Sequence, residues 1–324
     1  MLELNATWDQ WDFGYYREIA EFGYNADDGS IAFYPLFPWL MRLVAYVTRT
    51  YLTAGLVISG ITSVVAAIIL RRLIQLDFPA SVAMRSVWFF LVFPTAYFLH
   101  LPYSESLFLA LALGCFLAAR IERWWLAGLL GAVCWMTRGV GAVLIPALAA
   151  EATQQYYASR RWNWQWFWIA VVPAGFAVYL VINWHVTGDP FSFLQTRKVS
   201  FNQSFAFPSV GIRQAIRAHY PTTSEAEMVG AQELQFVALG LVCMILSWIK
   251  LRPVYAVWMT CTWLLFTSVT FLQSVPRYSL TMFPIFILFA LLGRNRFWFG
   301  VLTFWSLLFF ALFAVLFVRG EWAF

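Results

Sequence analysis

Apolar stretches of close to twenty residues recur from about residue 53 to the end of the sequence, and they limit the folds open to it. A bilayer core takes roughly 20 helical residues to cross, and within it every backbone amide must be satisfied inside its own segment or a closed barrel. Runs at roughly 53–74, 86–101, 104–121, 124–150, 165–185, 234–250, 254–274, 279–293 and 297–318 give about nine or ten crossings, 124–150 being long enough for two short, broken segments. The sequence is 62% hydrophobic and 11% charged with a mean hydropathy of +0.70, outside the range of an ordinary soluble domain. The expected fold is all-α, a polytopic membrane helical bundle forming one domain over 1–324. No signal-peptide pattern is expected ahead of it.

Basic residues set the expected orientation, because cytoplasmic span ends collect Lys and Arg. Arg71-Arg72, Arg120 with Arg123, Arg160-Arg161, Lys250 with Arg252, and Arg294 with Arg296 fall at alternate ends. Placing all five inside leaves residues 1–50, the Pro102-Tyr103 turn, the Arg138 region, the 186–233 loop and Pro276-Arg277 on the extracytoplasmic face. The net charge of +5 is thereby accounted for by topology, with no nucleic-acid partner implied.

Cys115, Cys134, Cys243 and Cys261 lie within the predicted spans without CxxC spacing, which argues for buried thiols over a disulfide or zinc framework. His100, His185 and His219 share no metal-ligand spacing, so no cofactor is expected, with a divalent ion held by aspartates and water as an open alternative. Asn5-Ala6-Thr7 and Asn202-Gln203-Ser204 are glycosylation sequons on the external side.

Seven of the sixteen acidic residues (Glu3, Asp9, Asp12, Glu18, Glu21, Asp27, Asp28) lie in the first 28 positions, a density that requires a cause. At helical spacing Trp8, Trp11, Tyr15, Ile19 and Phe22 form an apolar stripe suited to the membrane interface, with Arg17, Glu18 and Glu21 turned away. Thr7-Trp8-Asp9-Gln10 has capping-box spacing, which places Asp9 in the first turn and gives it a structural reason to be acidic. Asp12 falls one turn further in, beside the stripe and near Tyr16, and is the better catalytic candidate. A carboxylate edging an apolar cleft suits a general base.

The Phe33-Tyr34-Pro35-Leu36-Phe37-Pro38 stretch reads as a rigid turn. A second interfacial helix, about 38–50, follows it with Arg42 and Arg49 reaching lipid headgroups. Tyr103-Ser104-Glu105-Ser106 opens a span, where hydroxyls and an acid can satisfy free amides or serve a site. Thr137-Arg138-Gly139-Val140-Gly141 interrupts an apolar run with a guanidinium, which at that depth faces a cavity or a partner. Arg277 follows Pro276 at an external span end. The second large loop contributes Gly188-Asp189-Pro190, explained by turn chemistry, then Phe193, Gln195, Arg197 and Lys198.

Trp11-Asp12 through Gly23-Tyr24, followed by Ala32 to Pro38, resembles the first luminal loop of the PIG-V-like mannosyltransferases, a GT-C type family of membrane glycosyltransferases. The ordered blocks Tyr103-Ser104-Glu105-Ser106-Leu107-Phe108, Trp124 to Leu130, Thr137-Arg138 with Gly141, Gly188-Asp189-Pro190 with Phe193 and Gln195, and Pro276-Arg277-Tyr278 are similar to the family's pattern. The resemblance implies inverting transfer of a hexose, mannose, from a polyprenyl-phosphate sugar donor to a lipid or glycan acceptor hydroxyl outside the cytoplasm. It makes Asp12 the base. Arg138, Arg277 and Arg197 are the donor-phosphate candidates, ranked above Lys198 for the arginine fork. Asp9, Tyr16, Tyr103, Glu105 and Gln195 complete the candidate substrate site, and the isoprenoid tail would lie among Phe and Leu side chains between spans, in contact with membrane lipid. The family pattern also places a helix ahead of this loop, where six residues precede Thr7, and a His after the Trp-Asp pair, where this sequence reads Phe13-Gly14-Tyr15. The acceptor is therefore expected to differ from that of the eukaryotic glycolipid-anchor enzymes.

Two other classes share some of these features. A transporter or flippase of a lipid-linked substrate also needs many spans, but places ionisable groups near the midplane and shows internal repeats. A non-catalytic partner of a glycosyltransferase would hold a lipid-linked substrate without needing Asp12.

Overall fold

The computed structural model describes Trp8 and residues 11–201, 203–218 and 224–321. Among these the regular elements are helices, with one isolated antiparallel bridge between Phe205 and Val269. Four helices are long and apolar enough to cross a membrane: Tyr51–Gln75, Trp164–Thr187, Ala231–Lys250 and Arg296–Val318. Leu36–Thr48, Ala80–Val92, Trp124–Trp135 and Pro253–Thr267 are shorter apolar helices.

Prolines account for much of the shortening. The 86–101 run becomes a helix Ala80–Val92, because Phe93 is extended (ψ 146°) ahead of Pro94; a 3-10 turn, Ala96–Leu99, follows. The 279–293 run begins its helix at Pro284, after a separate short helix Val275–Ser279. The 124–150 run does break in two, at an extended Arg138 (φ −157°, ψ 149°) and the 3-10 turn Gly139–Val143. The 186–233 stretch, expected as a loop, contains the helices Ser192–Ser200 and Pro208–Ala218 and the start of Ser224–Lys250.

The chain divides into two compact units. One runs to Asp77 and takes in Tyr97–Thr196 and Val318–Gly320. Its helices are α1 (Asp12–Phe22), α2 (Leu36–Thr48), α3 (Tyr51–Gln75), then, beyond the α4 segment Ala80–Val92, α5 (Glu105–Arg120), α6 (Trp124–Trp135), α7 (Leu144–Ser159) and α8 (Pro173–Thr187). In it α3 lies against α5, α5 against α6, and α6 against α8 with its 3-10 lead-in Trp164–Val171. Apolar burial alone does not hold helices together in lipid, so close backbone approach and interhelical hydrogen bonds carry much of the association. Gly131 faces Val172, and a Cβ there would come within 2.8 Å of its methyl. Thr62 on α3 donates to Ser106 on α5 at 2.9 Å, and Ser59 donates to the Tyr103 carbonyl at 3.1 Å.

Where α3 and α5 end, a buried polar cluster forms against α7. The Arg120 guanidinium grips Asp77 with two bonds (2.6 and 2.8 Å) and approaches Glu151 at 3.4 Å. Gln155 donates to Glu151 and to the Ala119 carbonyl, and accepts from the Trp124 indole.

The second unit comprises Phe78–Ala96 and Arg197–Phe317, with Glu321 onward. It holds α4, α10 (Pro208–Ala218), α11 (Ser224–Lys250), α12 (Pro253–Thr267), α13 (Val275–Ser279), α14 (Pro284–Leu292) and α15 (Arg296–Val318), while α9 (Ser192–Ser200) crosses the division. Here α14 lies against α4, and α11 touches α10, α12, α13 and α14.

Candidate active site

The site in the first unit is built on α1. Gly23, at φ 91°, ends this helix and returns its N–H to Ile19. Arg42 on α2 completes the cap by donating to the carbonyls of Ala20 (2.5 Å) and Glu21 (2.9 Å), so its charge opposes the C-terminal end of the helix dipole. Arg42, expected to reach lipid headgroups, thus also has a structural role at the end of α1. The protein-facing side of α1 is a different one from the stripe expected at the membrane interface. Phe13, Tyr16, Ile19 and Ala20 face inward, whereas Trp11 and Phe22 are exposed, because the packed face is chosen by α2 and α3.

Helix α1 begins at Asp12, so Asp12 itself is the first-turn acid rather than lying a turn inside. That position has a structural benefit, since a carboxylate there meets the free amides of the helix start. Asp9 and the proposed capping box lie outside the described residues. Trp11, which precedes Asp12, has a positive φ of 53°, which a bulky residue adopts only when its surroundings enforce it. Asp12, Tyr16 and Ile19 follow one another at i, i+4 and i+7, in one row along the helix. Asp12 is half-buried at the edge of the inward face.

From Tyr16 a hydrogen-bonded chain runs inward. Its hydroxyl shares a bond of 2.9 Å with the hydroxyl of Ser104, the residue before α5. Ser104 also accepts from Arg138 at 3.3 Å, and Arg138 forms an ion pair with Glu105, whose side chain is 0% exposed. The structure thus brings together four residues from segments far apart in sequence. Tyr103 flanks them, its ring centroid 6.4 Å from that of Tyr16, stacked on Phe98. The turn bearing it is pressed onto α3 at Gly55, where a Cβ would come within 2.6 Å of Pro102.

The Phe33–Pro38 turn adds a wall. Tyr16 packs edge-on to Phe33 and Phe37. Tyr34 stacks on Tyr179 of α8 at 4.2 Å, and the Tyr179 hydroxyl donates to the Ile31 carbonyl at 2.5 Å. The Leu36 amide donates to the Met136 carbonyl at 3.0 Å, which ties the first loop to the segment carrying Arg138. Tyr24 donates to the Phe33 carbonyl, and burial, with lesser contributions from Tyr179 and Tyr16, holds its phenol well above its ordinary value.

Gln195 and Arg197 are on α9 and exposed, as is Lys198. Asp189 accepts from the Phe191 amide at 2.9 Å, the turn bond expected of Gly-Asp-Pro. Arg277 belongs to the second unit, buried on α13 at 6% exposure. Its turn is held by Glu233 of α11, whose two carboxylate oxygens accept from the amides of Ser274 and Val275. Among the described residues no cluster of three His, Cys, Asp or Glu is placed to hold a metal ion.

Sequence reasoning did not single out Tyr179 or Glu233. Tyr179 lies in a uniformly apolar run and offered no signal. Glu233 offered one, being the last acid before the apolar stretch 234–250.

No curated protein and no solved structure matches the chain. The sequence model of the family described as Mannosyltransferase (PIG-V) matches residues 3–174, which carry α1, the Phe33–Pro38 turn, Ser104, Glu105 and Arg138. The chain, a helical membrane protein with that match over more than half its length, belongs to the Mannosyltransferase (PIG-V) family of glycosyltransferases.

Proposed function

We propose that the protein transfers mannose from a polyprenyl-phosphate-linked donor to an acceptor hydroxyl on the extracytoplasmic face, with inversion, and that Asp12 is the general base. The Asp12 carboxylate takes the proton of the acceptor hydroxyl as that oxygen attacks the anomeric carbon. The bond from that carbon to the phosphate oxygen breaks, and polyprenyl phosphate leaves with the electron pair. The proton on Asp12 then passes to water. Inversion follows from a single displacement.

The observation that supports this reading is the placement of Asp12 one helical turn before Tyr16, whose hydroxyl begins the buried Ser104–Arg138–Glu105 chain. Glu105 balances the charge of Arg138, which suits Arg138 to orient hydroxyl and phosphate oxygens rather than to act as an isolated cation. Arg277 is assigned to the departing phosphate, where a fixed guanidinium would offset developing charge. Arg197, exposed on α9, is a second and weaker assignment, and Tyr103 and Gln195 remain substrate-site assignments.

The test is transfer of labelled mannose from synthetic polyprenyl-phosphate-mannose to a host lipid extract by the purified protein. Asp12→Asn keeps shape and should lower the rate by about 10²–10⁴-fold. Wild-type turnover in Asp12→Asn would remove the mechanism.

A further inference from the structure

Glu233 occupies a position that a helix entering an apolar run ordinarily denies to an acid. Its side chain is 2% exposed. It sits nine positions after the start of α11, so its carboxylate plays no part in capping its own helix. Both oxygens are instead directed to the turn before α13, accepting from Ser274 N–H at 2.7 Å and Val275 N–H at 2.8 Å.

That turn is unusual in its own right. Ser274 adopts φ 64°, ψ 24°, the left-handed region that a non-glycine residue enters at a cost. Beyond it the Pro276 carbonyl accepts from Thr95, a fully buried residue of the segment after α4, at 3.0 Å. Pro276 itself has no N–H and a fixed φ. Tyr278, next to Arg277, stacks on Phe266 of α12 with centroids 4.7 Å apart. The backbone on either side of Arg277 is therefore gripped from α11, from the segment following α4 and from α12. Such over-determination is how a strained turn persists, and it makes the direction of one side chain reproducible.

We infer that Glu233 is a positioning residue: its carboxylate fixes the Ser274–Arg277 turn so that Arg277 meets the phosphate of the sugar donor. This rests on the proposed assignment of Arg277 to that phosphate. Glu233 itself need touch neither substrate. A glutamine there keeps one acceptor oxygen but presents an NH₂ to the other amide, which turns one of the two bonds into a repulsion.

The experiment measures KM and kcat with polyprenyl-phosphate-mannose as the varied substrate, then with host lipid extract varied by mass. Wild type is compared with Glu233→Gln, Thr95→Val and Arg277→Gln. The expected result is a donor KM raised about tenfold in Glu233→Gln and about threefold in Thr95→Val, with the half-saturating amount of lipid extract unchanged in both. A merely structural loss would reduce the amount of active enzyme and leave both half-saturation values alone. A raised donor KM in Arg277→Gln with wild-type values in Glu233→Gln would overturn the positioning role while sparing the assignment of Arg277. A wild-type donor KM in Arg277→Gln would overturn that assignment, and the inference with it. If Glu233→Gln does not fold, Thr95→Val decides, and a wild-type donor KM there overturns the inference.

Discussion

Removing the charge of Glu105 should reveal how the Arg138 site is held. In Glu105→Gln the guanidinium keeps its bond to Ser104 but loses its ionic partner, and with side chains 0% and 13% exposed there is little solvent to replace it. Breaking one side of a buried pair costs about 3–5 kcal/mol, and because glutamine retains an acceptor oxygen we take about 3 kcal/mol. For a unit of this size that lowers the melting temperature by roughly 6–12 °C, at about 2–4 °C per kcal/mol. Arg138→Met, by the same reasoning, takes this guanidinium from the buried Glu105 carboxylate and should cost a similar amount. The double variant removes both charges and should be more stable than the sum of the single losses predicts, by about 2 kcal/mol. Thermal unfolding in detergent, followed through tryptophan fluorescence, measures all four proteins. Additivity within about 0.5 kcal/mol would refute the claim that the two groups balance each other.

Two further outcomes test the surroundings. Gly141→Ala puts a Cβ within 2.5 Å of the Trp135 Cα, and the Gly141 amide bonds the Arg138 carbonyl, so the substitution should cost about 1–3 kcal/mol and lower transfer, whereas Gly60→Ala, inside α3 with nothing within 4 Å, should leave the rate unchanged and stabilise by about 0.5–1 kcal/mol. Burial holds the Tyr24 phenol above its ordinary 10, so its contribution to stability is intact below pH 10 and is lost as pH rises through the higher folded value. Melting temperatures at pH 8 and pH 11 should therefore fall further apart in wild type than in Tyr24→Phe.

The apolar helices were legible from length, apolarity and proline, whereas Ser192–Ser200 and Pro208–Ala218 in the polar 186–233 stretch were not. Phe93-Pro94 and Pro284 ended or began elements where backbone sterics require it, and Arg138 broke its apolar run because a guanidinium cannot sit in a continuous span without a partner. Which face of a helix turns inward was not legible. On α1 the protein-facing residues Phe13, Tyr16 and Ala20 lie outside the apolar stripe read from spacing, because in a chain with apolar residues on most helix faces the hydrophobic pattern does not separate lipid-facing from protein-facing sides. Partnerships across long separations were likewise hidden. Nothing local marks Glu105 as the counter-ion of a residue 33 positions on, or Arg42 as the cap of α1.

The Arg120 cluster bears on the order in which the chain becomes stable during synthesis. Asp77 is translated 43 residues before its arginine, and Glu151 emerges about thirty residues after it. A nascent chain that stops short of α7 can already satisfy Arg120 through the two-pronged bond to Asp77, whereas Glu151 has no reason to be buried until Arg120 and Gln155 are in place. Asp77 is thus a guardian of the unfinished protein as well as a brace of the finished one, and its loss should be felt first as degradation of incompletely assembled chains.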